Sequence, residues 1–131
     1  MADTTPLITG VDFVSVATKD IEAAIEFYGT VLGLPHTVTY GKSPGVEFET
    51  GSLTLQILQS EAFGMTYQTD NHPIAFQVDD VAGARAELES RGIVFEGDIL
   101  DSGVCHMAFF KDPDGNALML HHRYAPKTPS G

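Results

Sequence analysis

The feature that most restricts the fold of this chain is an internal repeat. The segment VDFVSVATKDIEAAIEFY, residues 11–28, lies 60 positions before NHPIAFQVDDVAGARAEL, residues 71–88. In each segment apolar residues alternate, as in a half-buried strand, and an aspartate then precedes apolar residues at helical spacing. Asp20 occupies this place in the first segment and Asp80 in the second. The chain is therefore expected to contain one strand–helix unit twice.

Each predicted helix is followed by three further strand candidates, which cover residues 36–40, 45–50 and 52–58 in the first half and 92–97, 104–110 and 116–122 in the second. The last pair of each half is joined by turn residues, Gly51-Ser52 and then the sequence DPDGN, residues 112–116. The pattern predicts an α+β fold of two βαβββ modules. Because sheets twist, we expect two concave mixed sheets with the helices on their outer faces.

The repeat also divides the chain into predicted segments. These are an N-terminal extension (1–7), a first βαβββ module (8–58), a connector (59–70), a second βαβββ module (71–124) and a disordered tail (125–131). A short apolar stretch in the connector, residues 63–67, is expected to dock on the surface rather than to cover a pocket.

Composition excludes several classes of function. A formal net charge of −11 repels nucleic acid phosphates and anionic lipid, so no nucleic acid or membrane partner is expected. The one cysteine, Cys105, excludes a disulfide framework within the chain and a cysteine zinc cluster. No signal peptide and no apolar run of about 20 residues is visible, so the expected location is cytoplasmic.

The repeat, with the motifs FVSVATKDIEAAIEFYGTVLGLP, IAFQVDDVAGARAELESRG and FFKDPDGNALML, resembles the vicinal oxygen chelate superfamily over about residues 8–124. That superfamily contains glyoxalases, extradiol dioxygenases, fosfomycin-modifying enzymes and bleomycin-type resistance proteins. The resemblance implies the paired-module fold. It does not select one function, because the same fold carries several chemistries and also proteins that only bind.

The resemblance further implies where a metal would be held. Enzymes of the superfamily take metal ligands from the first and last strands of each module, and the corresponding positions here are Phe13, Gln56, Pro73 and Met119. Phenylalanine and proline side chains cannot coordinate a metal, and a thioether is a soft, weak ligand. We therefore predict no metal and no cofactor, and the chain is nearest to the metal-free binding members of the superfamily.

A small-molecule site is predicted on the concave face that strand alternation and the resemblance assign. Its residues are apolar or aromatic with a few neutral polar groups, which is the usual lining of a ligand pocket. The predicted ligand-binding residues are Phe13, Ser15, Thr54, Gln56, Pro73, Ala75, Gln77, Met107, Phe109, Met119 and His121. Alternatively, these side chains collapse on one another and leave no useful pocket.

The remaining histidines and the cysteine are assigned structural rather than chemical roles. His72 is expected at an exposed strand edge and His36 on the surface, whereas His106 and His122 are expected to be partly buried and hydrogen-bonded. Cys105 has no basic neighbour in sequence except a histidine, so it is interpreted as a small hydrophobic residue. No catalytic residue is assigned.

Two functions of different class remain open. The first is a metal-free protein that sequesters a small molecule, an aromatic or cationic antibiotic, as bleomycin-type resistance proteins do. The resemblance implies a homodimer in which modules of two chains shape each site. The alternative is a metal-dependent lyase, isomerase or dioxygenase of the glyoxalase type with an atypical site, for example His72, Gln56 and His121.

Overall fold

The computed structural model describes residues 6–127. The first module contains β1 (Phe13–Thr18), α1 (Ile21–Ile25), which continues as a π-helical segment (Glu26–Val31), β2 (His36–Thr39), β3 (Gly45–Glu49) and β4 (Thr54–Gln59). A short 3-10 helix (Ser60–Phe63) leads into the connector. The second module contains β5 (Ile74–Gln77), α2 (Val81–Ser90), β6 (Glu96–Asp101), β7 (Cys105–Lys111) and β8 (Ala117–Arg123).

Each module forms one four-stranded mixed sheet. Sheet 1 has the strand order β1-β4-β3-β2, and sheet 2 has the order β5-β8-β7-β6. In both sheets the first and last strands of the module pair in parallel, whereas the other neighbours are antiparallel. The predicted α+β fold of two βαβββ modules is confirmed.

Each helical segment begins after an aspartate of the repeat and is followed by a glycine. The Asp20 carboxylate accepts hydrogen bonds from the Glu22 and Ala23 amides and so caps α1. Asp80 is the N-cap residue of α2, although its side chain makes no capping hydrogen bond. Gly33 and Gly92 follow the two helical segments with φ of 77° and 95°, a left-handed conformation that glycine adopts without a steric penalty.

One hydrophobic core serves both modules. The sheet faces that pack on the helices contribute fully buried side chains from sheet 1, such as Phe48 and Leu55, and from sheet 2, such as Phe110 and Leu118. Tyr28, in the π-helical segment, is completely buried in the same cluster. The opposite face of each sheet lies outside this core, and we call it the open face.

The turn between β7 and β8 fastens the second module to β1 of the first. The buried Asp112 carboxylate accepts a hydrogen bond from the Tyr28 hydroxyl at 2.7 Å. The Asn116 side-chain amide donates to the Ala17 carbonyl at 2.8 Å, and Asp114 accepts from the Thr18 hydroxyl at 2.6 Å. The DPDGN sequence therefore makes a turn and also joins the two modules.

One predicted strand is wrong. The sequence predicts a strand over residues 92–97, but β6 begins at Glu96, Gly92 lies in the turn after α2, and residues 93–95 belong to no strand. Their alternation is real, since Ile93 and Phe95 are buried. However, the Gly92 and Ile93 amides donate to the Glu89 and Leu88 carbonyls, so this stretch begins as the C-terminal turn of α2 rather than as a strand.

The predicted N-terminal extension (1–7) and disordered tail (125–131) lie in part outside the described residues. Within the described range, no helix is both long enough and apolar enough to cross a bilayer.

Candidate ligand-binding site

The open face of sheet 1 carries predicted site residues on neighbouring strands. Phe13 pairs with Thr54, and Ser15 pairs with Gln56, across the parallel β1–β4 ladder. The Ser15 hydroxyl donates to the Gln56 side-chain oxygen at 2.7 Å. These four residues alternate with buried ones such as Val16 and so lie together on one face.

The hydrogen bonds of this face continue onto residues that the sequence analysis did not select. The Gln56 amide donates to the Tyr40 hydroxyl at 2.7 Å, and that hydroxyl donates to the Glu47 carboxylate. The Thr54 hydroxyl donates to Glu49 at 2.7 Å. Partial burial, and then the carboxylate of Glu47, raise the pKa of Tyr40, so its hydroxyl stays protonated as a donor.

Strand alternation predicts the face of Glu47 and Glu49 but not that of Tyr40, because the register of β2 shifts between His36 and Val38. In the predicted strand GVEFET, the glutamates alternate with the buried residues Val46 and Phe48, so they belong to the same face as Gln56. In the first module, the predicted site residues lie only on the first and last strands, where the resemblance places metal ligands. The structure adds an acidic, hydrogen-bonded wall to the predicted site.

The open face of sheet 2 is apolar by comparison. Its side chains are cross-strand neighbours, because Met119 lies between Ala75 and Phe109, and His121 lies between Gln77 and Met107. The next residue along β7 after Phe109, Phe110, is 1% exposed beneath the helices, so the two side chains lie on opposite faces of the sheet. Pro73 lies two residues before Ala75, just ahead of β5.

Two cavities lie at the seam between the modules. The larger has a volume of about 790 Å³ and is bounded by the end of the π-helical segment, the β3–β4 turn, β5, α2 and β8. The smaller, of about 350 Å³, lies between β1, the connector and Asn116. Ala75, Gln77 and His121 line the larger cavity, and Ser15 lines the smaller.

Within one chain, the predicted site is thus divided into two patches, one on each open face. The structure brings Phe13, Ser15, Thr54 and Gln56 together on sheet 1, and Ala75, Gln77, Met107, Phe109, Met119 and His121 together on sheet 2. Residues that line neither of the two cavities are Phe13, Thr54, Gln56, Pro73, Met107, Phe109 and Met119.

The other histidines take the places expected of them. The side chain of His72 is 98% exposed near Asp70, and His36 is exposed on β2. His122 is half-buried with its Nδ1 3.1 Å from the Val78 carbonyl, and the His106 Nε2 lies 3.4 Å from Asp101. Cys105 is buried, and its sulfur lies 3.0 Å from the Ser102 hydroxyl.

The strand register gives the four predicted metal-ligand positions the same arrangement in both modules. Gln56 pairs with the residue two after Phe13, and Met119 pairs with the residue two after Pro73. None of these side chains supplies an imidazole or a carboxylate. Within residues 6–127, no three His, Cys, Asp or Glu side chains are grouped so that they could hold a metal ion. Of the atypical set, His72 precedes β5, Gln56 lies on β4 of sheet 1 and His121 lies on β8 of sheet 2.

Comparison with solved structures finds the same fold in several proteins. A glyoxalase/bleomycin resistance protein/dioxygenase from Nocardioides has a TM-score of 0.77 at 19% identity, with 98% of this chain and 92% of that chain covered. The antibiotic binding protein TnmS3 from Streptomyces sp. CB03234 has a TM-score of 0.76 at 23% identity, covering 91% and 99%. A lactoylglutathione lyase from Agrobacterium tumefaciens has a TM-score of 0.73 at 19% identity, covering 88% and 95%.

At these identities the likeness shows the fold alone. No curated protein matches the chain. Family assignment depends instead on a family model described as Glyoxalase/Bleomycin resistance protein/Dioxygenase superfamily, which matches residues 10–120. This range includes both segments of the repeat, the DPDGN turn and every predicted site residue except His121. The chain belongs to the glyoxalase/bleomycin resistance protein/dioxygenase superfamily.

Proposed function

We propose that this protein is a metal-free binding protein that sequesters a small aromatic molecule bearing a positive charge, such as an antibiotic. The observation that carries the proposal is the composition of the open faces. At the positions where enzymes of this superfamily hold a metal, this chain has Phe13, Pro73 and Met119, beside Met107 and Phe109. These side chains suit a flat ligand, because aromatic rings stack and thioethers adapt to irregular surfaces.

The sheet 1 face supports the positive charge of the ligand. Glu47 and Glu49 lie on it two residues apart, and each accepts a hydroxyl hydrogen bond with one oxygen. The second oxygen of each carboxylate accepts no hydrogen bond from the described part of the chain. An ammonium group placed there would gain charge-assisted hydrogen bonds. The net charge of −11 also favours the approach of a cation.

We further propose that two chains combine to form each site. The open faces leave large apolar side chains uncovered, and the exposure of Phe13 is 52%. The chain just before β1 is also apolar and exposed, with Leu7 at 97%, Ile8 at 80% and Val11 at 63%. Contiguous apolar surface of this kind marks interaction sites. In a homodimer, the sheet 1 face of one chain would oppose the sheet 2 face of its partner.

Among neighbours of the same fold, TnmS3 is an antibiotic binding protein and another is a lactoylglutathione lyase, so the fold serves both binding and catalysis. The residues of this chain favour binding. They offer one histidine on the open faces, His121, and its ring makes no hydrogen bond to a carboxylate in the described structure.

A calorimetric screen tests the proposal. Aromatic antibiotics with an amino group, doxorubicin among them, would be titrated into the protein together with neutral counterparts such as N-acetyldoxorubicin. We expect saturable binding of at least one cationic compound and weaker binding of its neutral counterpart. Absence of any binding at about 1 mM, an affinity of only about 4 kcal/mol, would refute the proposal.

Matched variants locate the site. Phe109→Ala should weaken binding of the best ligand about tenfold or more, because a buried aromatic contact is lost. Glu49→Gln should weaken binding of the cationic compound and leave binding of its neutral counterpart unchanged. Glu22→Gln, an exposed glutamate on α1, is the control for the change in net charge.

A further inference from the structure

The larger seam cavity is a second candidate binding site, which meets the open face of sheet 2 only at Ala75, Gln77 and His121. It lies on the helix side of sheet 2, since Ala84 and Leu88 of α2 form one wall. Leu32, Leu34 and Leu53 of the first module form the opposite wall. A volume of about 790 Å³ falls within the range of about 300–1,000 Å³ that is typical of small-molecule sites.

The cavity exists because the two sides of the seam differ. On one side, the β7–β8 turn fastens to β1 through Asn116 and the aspartates. On the other side, Leu53 takes the place of Asn116, each being the residue just before the last strand of its module. The hydrogen bonds of the β3–β4 turn stay within the turn, as in that of the Thr50 hydroxyl to the Leu53 carbonyl. This turn therefore leaves the space beside β5 unfilled.

The lining of the cavity defines the polarity of an occupant. Its interior is apolar, with Phe76, Val78 and Leu120 beside the leucines already named. The charged groups at its rim pair with each other, since an Arg91 nitrogen lies 3.5 Å from Glu87 while another donates to the Val31 carbonyl. A net charge on the occupant would find no partner of its own. The cavity is therefore suited to an uncharged, largely apolar molecule.

The free edge of β5 adds a specific hydrogen-bonding feature. The Val78 amide donates to the His121 carbonyl, so Val78 directs its backbone groups toward β8. Backbone groups alternate along a strand, and those of Ala75 and Gln77 therefore point to the edge that faces the cavity. The Gln77 side chain also makes no hydrogen bond to the described part of the chain. An amide group on the occupant would find both donors and acceptors there.

We infer that the seam cavity binds an uncharged, mainly apolar small molecule that carries an amide, held between the two modules against the free edge of β5. The bound molecule would occupy the space that the DPDGN turn fills on the other side of the seam. Apart from Ala75, Gln77 and His121 at the β5 edge, its site uses none of the open-face residues.

The test is a nitrogen-15 NMR titration with two probes of the same shape. N-benzylbenzamide has the amide, and benzyl benzoate replaces its N–H by oxygen. We expect N-benzylbenzamide to shift the amide signals of Leu53, Gln77 and Ala84 saturably, and to bind about fivefold more tightly than the ester, the contribution of one hydrogen bond. Equal affinities would refute the role of the strand edge.

Two variants on one helix provide the steric test. Ala84→Phe places a ring in the cavity and should weaken N-benzylbenzamide binding about tenfold. Ala86→Phe adds the same ring on the exposed side of α2 and should leave binding unchanged. Should Ala84→Phe lose its circular dichroism spectrum, Ser52→Phe fills the cavity from the opposite wall and carries the same expectation.

Three results would overturn the inference. The first is no saturable shift at about 1 mM probe. The second is a set of shifts centred on Met107, Phe109 and Met119, with Ala84→Phe binding like the wild type. The third is binding that appears only on dilution to the monomer, which would show that a second copy covers the cavity. Phe109→Ala should leave binding of N-benzylbenzamide unchanged, because Phe109 does not line the cavity. Failure of the cavity proposal can therefore be distinguished from failure of the open-face proposal.

Discussion

At the scale of single residues, the Tyr28–Asp112 hydrogen bond shows how burial changes the value of a contact. Tyr28 is completely buried and Asp112 is 6% exposed, and the hydroxyl donates to the carboxylate at 2.7 Å. Tyr124 donates to Asp101 at the same distance, but this second pair lies on the surface. The two pairs have the same chemistry and differ in their access to water.

The first prediction compares these pairs. Tyr28→Phe leaves a buried carboxylate oxygen without its hydroxyl donor, and it should lower the free energy of unfolding by about 2 kcal/mol. Tyr124→Phe should have a much smaller effect, because water replaces the lost donor. Urea denaturation followed by circular dichroism measures both. Equal losses of unfolding free energy in the two variants would contradict the larger contribution expected of the buried Tyr28–Asp112 pair.

The second prediction concerns alkaline pH. Burial, and then the charge of Asp112, raise the pKa of Tyr28 above its ordinary value of about 10. The unfolded chain therefore loses this proton first, and the stability associated with it is present below pH 10 and declines as the pH rises above 10. Tyr28→Phe should remove this contribution, which is about 1.4 kcal/mol per pH unit for one proton. Parallel stability curves between pH 10 and 11 for the two proteins would contradict it.

At the scale of elements, the two helix starts offer a matched pair. Both helices begin after an aspartate, but only the Asp20 side chain accepts amide hydrogen bonds, from Glu22 and Ala23 at 3.2 Å each. The third prediction is that Asp20→Ala lowers the free energy of unfolding by about 1 kcal/mol. Asp80→Ala should cost clearly less, since its side chain makes no capping hydrogen bond. Thermal denaturation of both variants compares the two losses of stability. A larger loss for Asp80→Ala than for Asp20→Ala would contradict the prediction.

Sequence patterns predicted the elements where local chemistry determines them, and failed where neighbours do. Alternation identified the strands, and DPDGN identified a turn. The strand predicted over residues 92–97 begins only at Glu96, because alternation records burial and does not show that the Gly92 and Ile93 amides are hydrogen-bonded to the end of α2. The π-helical segment buries Tyr28. Nothing in the local sequence propensity distinguishes this segment from an α-helix.

The candidate site was predictable to a similar extent. Alternation grouped the residues of each open face correctly. Applied to β3, the same alternation also places Glu47 and Glu49 on the open face of sheet 1. It could not show how the two faces are arranged, because that depends on contacts between modules far apart in sequence, such as Asn116 with Ala17. The seam cavity depends on the same contacts and had no local signal.

At the scale of the whole molecule, the charge pattern and the exposed apolar surface together define how the protein would associate. The helix-facing sides of both sheets are already occupied by the core, and the open faces are not. The apolar residues before β1 extend the uncovered surface of sheet 1. The proposed homodimer would cover both.

The fourth prediction is that sedimentation velocity finds a dimer and that Val11→Asp shifts it toward the monomer, because a charge would be buried in an apolar interface. Val94→Asp, at a residue that is 83% exposed two positions before β6, is the control and should remain dimeric. A wild-type monomer at about 100 µM would exclude a stable dimer and the shared site with it.

The central claim is that the open faces bind a small molecule without a metal. The most direct measurement is calorimetric titration of the tightest ligand from the antibiotic screen into protein dialysed against EDTA and into untreated protein. Because Phe13, Pro73 and Met119 cannot replace imidazole and carboxylate ligands, we predict the same affinity in both and a loss on Phe109→Ala. Binding that disappears after EDTA and returns with Mn²⁺ or Zn²⁺ would contradict the claim.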